Sequence, residues 1–141
     1  MKTSVYINLP VKNVARTRAF FANLGYRHNP EFSNETAVCI VISDTIFVMM
    51  IEEPVFKGFT SKTVVDATQS TEVIVALTLE NKAQVDALLE KAIAQGGTEA
   101  RPADVHDFMY LRSLHDLDGH IWEFFCFTGA AAEVETDDFA F

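Results

Sequence analysis

The sequence predicts an α+β fold made of two tandem β-α-β-β-β modules, and three observations predict it. Two helical segments, one after Asn13 and one after Asn81, each follow a β-rich run and each close on glycine. Two further pairs of β-rich runs are separated by short polar turns, as hairpin strands are. The order of these elements in the first half returns in the second, which is the mark of an internal duplication.

Each element has a local reason. "TSVYINLPV", Thr3 to Val11, is β-branched and apolar and reads as a strand. Asn13 stands where an N-cap side chain accepts from an orphan backbone N–H. In "VARTRAFFANLGY", Val14, Ala15, Arg18, Phe21 and Ala22 fall near helical spacing, and Gly25 supplies the C′ position. "AVCIVIS" and "TIFVMMI" flank Ser43-Asp44 and form a hairpin. From Glu52 to Ser70, with Pro54, Gly58 and many Thr and Ser, the chain reads as a linker or lid.

The second half opens with the strand "TEVIVALTL" and the cap residue Asn81. "KAQVDALLEKAIAQ" places Val85, Leu88, Leu89 and Ala92 on one helical stripe, closed by Gly96-Gly97. A short strand over Thr98 to Arg101 follows. "FMYLRSL" and "HIWEFFCF" then form a hairpin around Asp118-Gly119, a pair that tolerates positive φ. The reading is one domain over about 1–128, with halves at about 3–52 and about 71–128 and a linker at about 53–70. The tail at 129–141 is acidic, and is expected to be mobile or docked on a partner by Phe139 and Phe141.

Composition narrows the functions. The net charge of −9 disfavours nucleic acid, whose phosphates require a basic footprint. No apolar run approaches the ~20 residues needed to span a bilayer. Cys39 and Cys126 both sit in apolar runs and no signal-peptide pattern is present, so reduced thiols and a cytoplasmic setting are expected.

The stretch "HDLDGHIWEFF" gathers two histidines, two aspartates and a glutamate. On a strand, however, side chains alternate between faces, so His120 and Glu123 point apart. Glu123 then shares its face with Ile121 and Phe125. Parity places Met109, Leu111 and Ser113 on that face, and Tyr6 and Asn8 are assigned to it too. Asp116, Asp118 and Gly119 fit turn chemistry, and His115 and His120 fit surface or hairpin-end positions. His106 lies on a loop able to reach a ligand, while His28 has no visible partner. A carboxylate in an apolar strand is unusual unless paired. Glu123 is thus the candidate catalytic acid or base, with a raised pKa if desolvated. Tyr6, Asn8, Met109, Leu111, Ser113 and Ile121 are the candidate ligand-binding residues.

The opening "INLPVKN", the helix ending in "LGY" and the closing "DLDGHIWEF" resemble the vicinal oxygen chelate superfamily over about residues 5–127. That group holds glyoxalase I, extradiol dioxygenases, fosfomycin-resistance enzymes and bleomycin-binding proteins. Bacterial predicted lactoylglutathione lyases look most similar. The resemblance implies that the mixed sheets curl into a cup-shaped pocket that holds the substrate, and that two copies pair as a homodimer. It also implies that members with a metal ligate it from the first and last strands of each half. Those positions fall here on Tyr6, Val48, Ile74 and Glu123, although a divalent metal needs three or four N, O or S donors. The expectation is therefore a small-molecule-binding protein with an incomplete metal site, no assigned cofactor and weak acid–base activity at Glu123. The alternatives are a metal-dependent lactoylglutathione lyase-like or dioxygenase-like enzyme, and sequestration of a cationic toxic compound. For a glutathione adduct, the cations to anchor its carboxylates would come from Lys12, Arg16, Arg18, Arg101 and Arg112.

Overall fold

The structure, a computed structural model, describes residues 1–129. Most of the tail at 129–141 thus lies outside the described residues. The chain divides into one unit from Met1 to Ser70 and a second that starts at Thr71.

The first unit runs β1 (Val5–Val11), α1 (Val14–Asn23), β2 (Arg27–His28), β3 (Ala37–Val41), β4 (Ile46–Glu52) and a short helix α2 (Glu53–Phe56). Its sheet has the order β1-β4-β3-β2, with β1 parallel to β4. Asn13 caps α1 as expected, its side chain accepting from the Arg16 N–H at 3.0 Å. Glu52, the last residue of β4, adds a second cap by accepting from the Val14 N–H at 3.0 Å. Gly25 ends the helix at φ 101°, a conformation that favours glycine. Leu9, Val11, Val48 and Met50 on the sheet and Phe20 and Phe21 on α1 are buried together as the core. Each such side chain contributes roughly 1.5–3 kcal/mol by leaving water.

The second unit repeats the plan with β5 (Ile74–Thr78), α3 (Lys82–Ala94), β6 (Thr98–Val105), β7 (Met109–His115) and β8 (Ile121–Phe127). Its order is β5-β8-β7-β6, again with the first strand parallel to the last. Asn81 caps α3 by accepting from the Gln84 N–H at 2.9 Å, and Gln84 reaches back to the Glu80 N–H at 3.1 Å. This is a reciprocal arrangement of the capping-box kind. At Gly97 a Cβ would lie 2.9 Å from the Ala92 carbonyl oxygen, so only glycine fits the turn. Trp122, Phe124, Leu114, Val85 and Leu89 form the buried centre.

Two elements differ from the sequence reading. Strand β6 continues to Val105, past the expected end at Arg101, with register shifts between Glu99 and Asp104. Pro102 falls inside that irregularity, where its missing N–H costs no regular ladder bond. The stretch read as a linker starts with α2 and a single 3-10 turn, Lys57–Phe59.

Candidate functional site

In each unit the helix packs on one sheet face, so the chemistry available to a ligand lies on the other. In the first unit, the register pairs Tyr6 with Phe47 and Asn8 with Met49, and pairs Cys39 with Met49 from the other side. Tyr6 stacks on Phe47 with ring centroids 4.6 Å apart and meets Phe32 edge-on at 6.4 Å. Against this face lies a cavity of about 470 Å³. Its floor is Tyr6, Asn8, Met49 and Ile51, and its walls include Phe32, Val55 and Phe59. That volume is in the usual range for small-molecule pockets, which are mostly apolar with a few polar groups. Glu31 is the one charged residue in its lining. The Asn8 amide donates to its neighbour's backbone, the Tyr6 carbonyl, at 3.0 Å, so its carbonyl oxygen is the more available end.

The second unit builds a different face. Ser113 pairs directly with Glu123, Leu111 with Phe125, Met109 with Phe127 and His115 with Ile121. Glu123, Ile121, Met109, Leu111 and Ser113 therefore share a face, whereas Tyr6 and Asn8 belong to the first unit. The buried Ser113 hydroxyl donates to Glu123 Oε2 at 3.0 Å. Arg101 Nη2 donates to the same oxygen at 3.0 Å, and its Nη1 reaches Asp104 at 3.5 Å. These contacts, with Glu123 first, hold the Arg101 guanidinium pKa above its ordinary value. His106 Nε2 lies 2.9 Å from Asp104 and its ring stacks on Phe108. Glu123 is thus a paired carboxylate, and its partner Arg101 comes from an edge strand 22 residues away.

The density of "HDLDGHIWEFF" is mostly turn construction. Asp116 Oδ1 accepts from the Asp118 and His120 backbone N–H groups, and Oδ2 accepts from the Trp122 indole N–H at 2.9 Å. Burial pushes the Asp116 carboxyl above its usual range, opposed by His120 and the indole. His120 is buried, which corrects the surface reading: the turn folds it inward beside Asp116. His115 does share Glu123's face, and its Nδ1 lies 3.4 Å from Thr98 Oγ1.

Of the five expected anchor cations, none lines the cavity over Tyr6 and Met49. Arg112 points to the helix side, where it pairs with Asp86 at 3.1 Å, Glu99 at 3.1 Å and Glu90 at 3.5 Å. Burial would lower its guanidinium pKa, but Glu99 and Asp86 more than offset this and hold it up.

No family model and no curated protein matches the chain. Solved structures do. A hypothetical protein from S. aureus is 27% identical, with a TM-score of 0.75 over 89% of this chain and 95% of that one. A glyoxalase/bleomycin resistance protein/dioxygenase family enzyme from Burkholderia phytofirmans PsJN is 14% identical, with a TM-score of 0.74 over 90% of this chain and all of that one (100%). The fosfomycin resistance protein FosX from Listeria monocytogenes, complexed with Mn(II) and sulfate, is 20% identical, with a TM-score of 0.67 over 94% and 95% of the two chains. The chain has the vicinal oxygen chelate fold.

The vicinal oxygen chelate fold makes metal a question to test on the residues. The positions that the resemblance assigns to ligands are Tyr6, Ile74 and Glu123, with Val48 as the fourth. The β1–β4 register corrects the last of these. Val48 is fully buried in the core, and Met49 is the residue level with Asn8 on the open face. The donor set becomes a phenol, an alkyl group, a thioether and a carboxylate already held by a guanidinium. Hard or borderline divalent ions do not choose this set. Among the described residues, no group of three or more His, Cys, Asp and Glu is placed to hold an ion. The residues present do not fit a resident divalent metal.

Proposed function

We propose that this vicinal oxygen chelate fold serves a binding protein that takes a small, largely apolar molecule on the open face of its first sheet, without a metal. The observation that carries this reading is the cavity of about 470 Å³ lined by Tyr6, Phe32, Met49, Ile51, Val55 and Phe59. Aromatic rings and adaptable thioether surface suit a flat organic ligand, and the exposed edge of the Asn8 amide supplies an orienting acceptor. A second feature sharpens the class. Three aromatic residues with Glu31 and no cation in the lining favour a ligand that carries positive charge. The solved relatives include proteins described as glyoxalase/bleomycin resistance proteins, a description compatible with sequestration of such a compound.

Acid–base chemistry by this chain would run through Glu123. Its Oε2 takes both Arg101 and Ser113, which leaves Oε1 as the atom for a ligand. Pairing of two copies, implied by the resemblance, is part of the same proposal and is measured by light scattering.

The test is a fluorescence titration with a planar aromatic cation, acridine orange, against an anionic aromatic probe, anilinonaphthalene sulfonate. The cation is expected to bind saturably at one site per chain, at least about tenfold tighter than the anion. Tyr6→Ala and Phe59→Ala weaken it, and Glu31→Gln narrows the cation preference. Equal, unsaturable uptake of both probes in all variants would overturn the reading.

A further inference from the structure

The first unit holds a second cavity, of about 610 Å³, that the proposal above does not use. Val14, Ala15 and Arg18 of α1 line it, together with His28 of β2 and Ser33, Asn34 and Glu35 of the loop that follows. Its chemistry differs from that of the aromatic cavity, because here the lining contains a guanidinium and an imidazole.

Arg18 is the informative residue. A guanidinium carries five N–H donors. Arg101 engages two carboxylates and Arg112 three. Among the described residues no carboxylate pairs with Arg18. Its Nη2 makes a single long bond to the Asn34 carbonyl oxygen at 3.3 Å. Its Nε is buried with no hydrogen-bond acceptor among the described residues. A buried donor left without an acceptor costs free energy unless an acceptor arrives. His28, exposed at the same cavity, has no side-chain partner among the described residues.

The charge distribution agrees. In a chain of net charge −9, the residues before Glu31 include Lys2, Lys12, Arg16, Arg18 and Arg27 and not one carboxylate. Of these cations Arg18 lines the cavity itself, and a local positive charge recruits anions. We infer that the cavity between α1 and the β2–β3 loop is a binding site for a small oxyanion, a carboxylate or phosphate group held by Arg18 and His28. The two terminal nitrogens of Arg18 offer the planar fork that oxyanions accept in bidentate fashion, and the Nε–H beside them reports its occupation. Glu35, the one carboxylate in the lining, selects against highly charged anions.

The experiment is an NMR titration of the full-length, ¹⁵N-labelled protein with sodium phosphate and, separately, sodium acetate, at constant ionic strength. The Arg18 Nε–H resonance is identified by its loss in Arg18→Lys. It is expected to shift and saturate with at least one of the two anions, and which one does so distinguishes phosphate from carboxylate recognition. Arg18→Gln weakens that binding at least about tenfold, and Glu35→Gln tightens it. A linear, unsaturating drift of the Arg18 resonance with both anions, equal to that of the exposed Arg27, overturns the inference. That readout is made on the unmodified protein, so it decides the matter even where Arg18→Gln is poorly folded.

Discussion

The two units share a backbone plan and differ in what they place on their open faces. Both start a helix on asparagine, end it near a positive-φ glycine, and run the first strand parallel to the last. At the level where β3 pairs with β4, the first unit sets Cys39 beside Met49. At the matching level the second sets Ser113 beside Glu123 and brings Arg101 to the carboxylate. The first unit therefore offers an apolar cavity, and the second a neutralised ion pair. A duplicated scaffold is held by its caps and its buried face, which leaves the opposite face free to diverge.

The largest difference that can be broken is in the hairpin turns. In the first unit the turn is held by Ser43 Oγ, which accepts from the Thr45 and Ile46 N–H groups at 3.3 and 3.2 Å. In the second, Asp116 gathers three N–H donors, including that of the fully buried Trp122. Asp116→Ala orphans all three in a dry setting and should cost about 3 kcal/mol, while Ser43→Ala should cost about 1 kcal/mol. Urea denaturation measures both. Equal losses would mean that the two turns bear equal weight, against this account.

A smaller effect tests whether the open faces are interchangeable. Glu123→Met alone frees Arg101 and strands the buried Ser113 hydroxyl, a loss of about 1 kcal/mol. Adding Ser113→Cys copies the first unit's pair and should recover most of it, because the Arg101 side chain is 47% exposed and turns to water once released. The reverse change, Met49→Glu, sets a carboxylate beside Tyr6 and Ile51 with no guanidinium near and should cost about 2 kcal/mol. If Met49→Glu were the milder change, the ion pair would not be what makes a carboxylate tolerable there.

The same contrast shows what the sequence could reveal. The two asparagine caps, the glycine terminators and both hairpins are local chemistry, and each is where the residues put it. The shared face of Glu123, Ser113, Leu111 and Met109 followed from alternation along two strands joined by a recognisable turn. Val48 was misplaced by one residue because the β3–β4 turn sets the register, and a one-residue slip reverses every side chain. Arg101 was visible as a cation, but its pairing with Glu123 depends on β6 continuing through an irregular stretch around Pro102, which has no periodic signature. Phe32 and Phe59 reach the cavity from single 3-10 turns and Val55 from a four-residue helix, where no repeat indicates direction. The acidity of the whole chain likewise hid the basic first thirty residues.

The finest comparison is between two tyrosines, one per unit, whose pKa values are both pushed up to about 12 by different causes. For Tyr26 the cause is burial alone. For Tyr110 it is burial, followed by donation of its hydroxyl to Asp86. Each raised pKa means stability that is fully present below the ordinary value of 10.0 and is lost as pH climbs toward 12. The partner carries the opposite sign. The Tyr110 hydroxyl, and then Arg112, hold Asp86 below its ordinary 3.8, so its contribution is present above that value and fades as pH falls through the depressed one. Asp86→Asn removes the charge but keeps the size. It should lower the Tyr110 step in an ultraviolet titration and leave the Tyr26 step in place. It should also flatten the acid limb of the urea midpoint below about pH 4. Were both phenols to shift together, or neither, the α3–β7 contact would not be what separates the second unit's tyrosine from the first's.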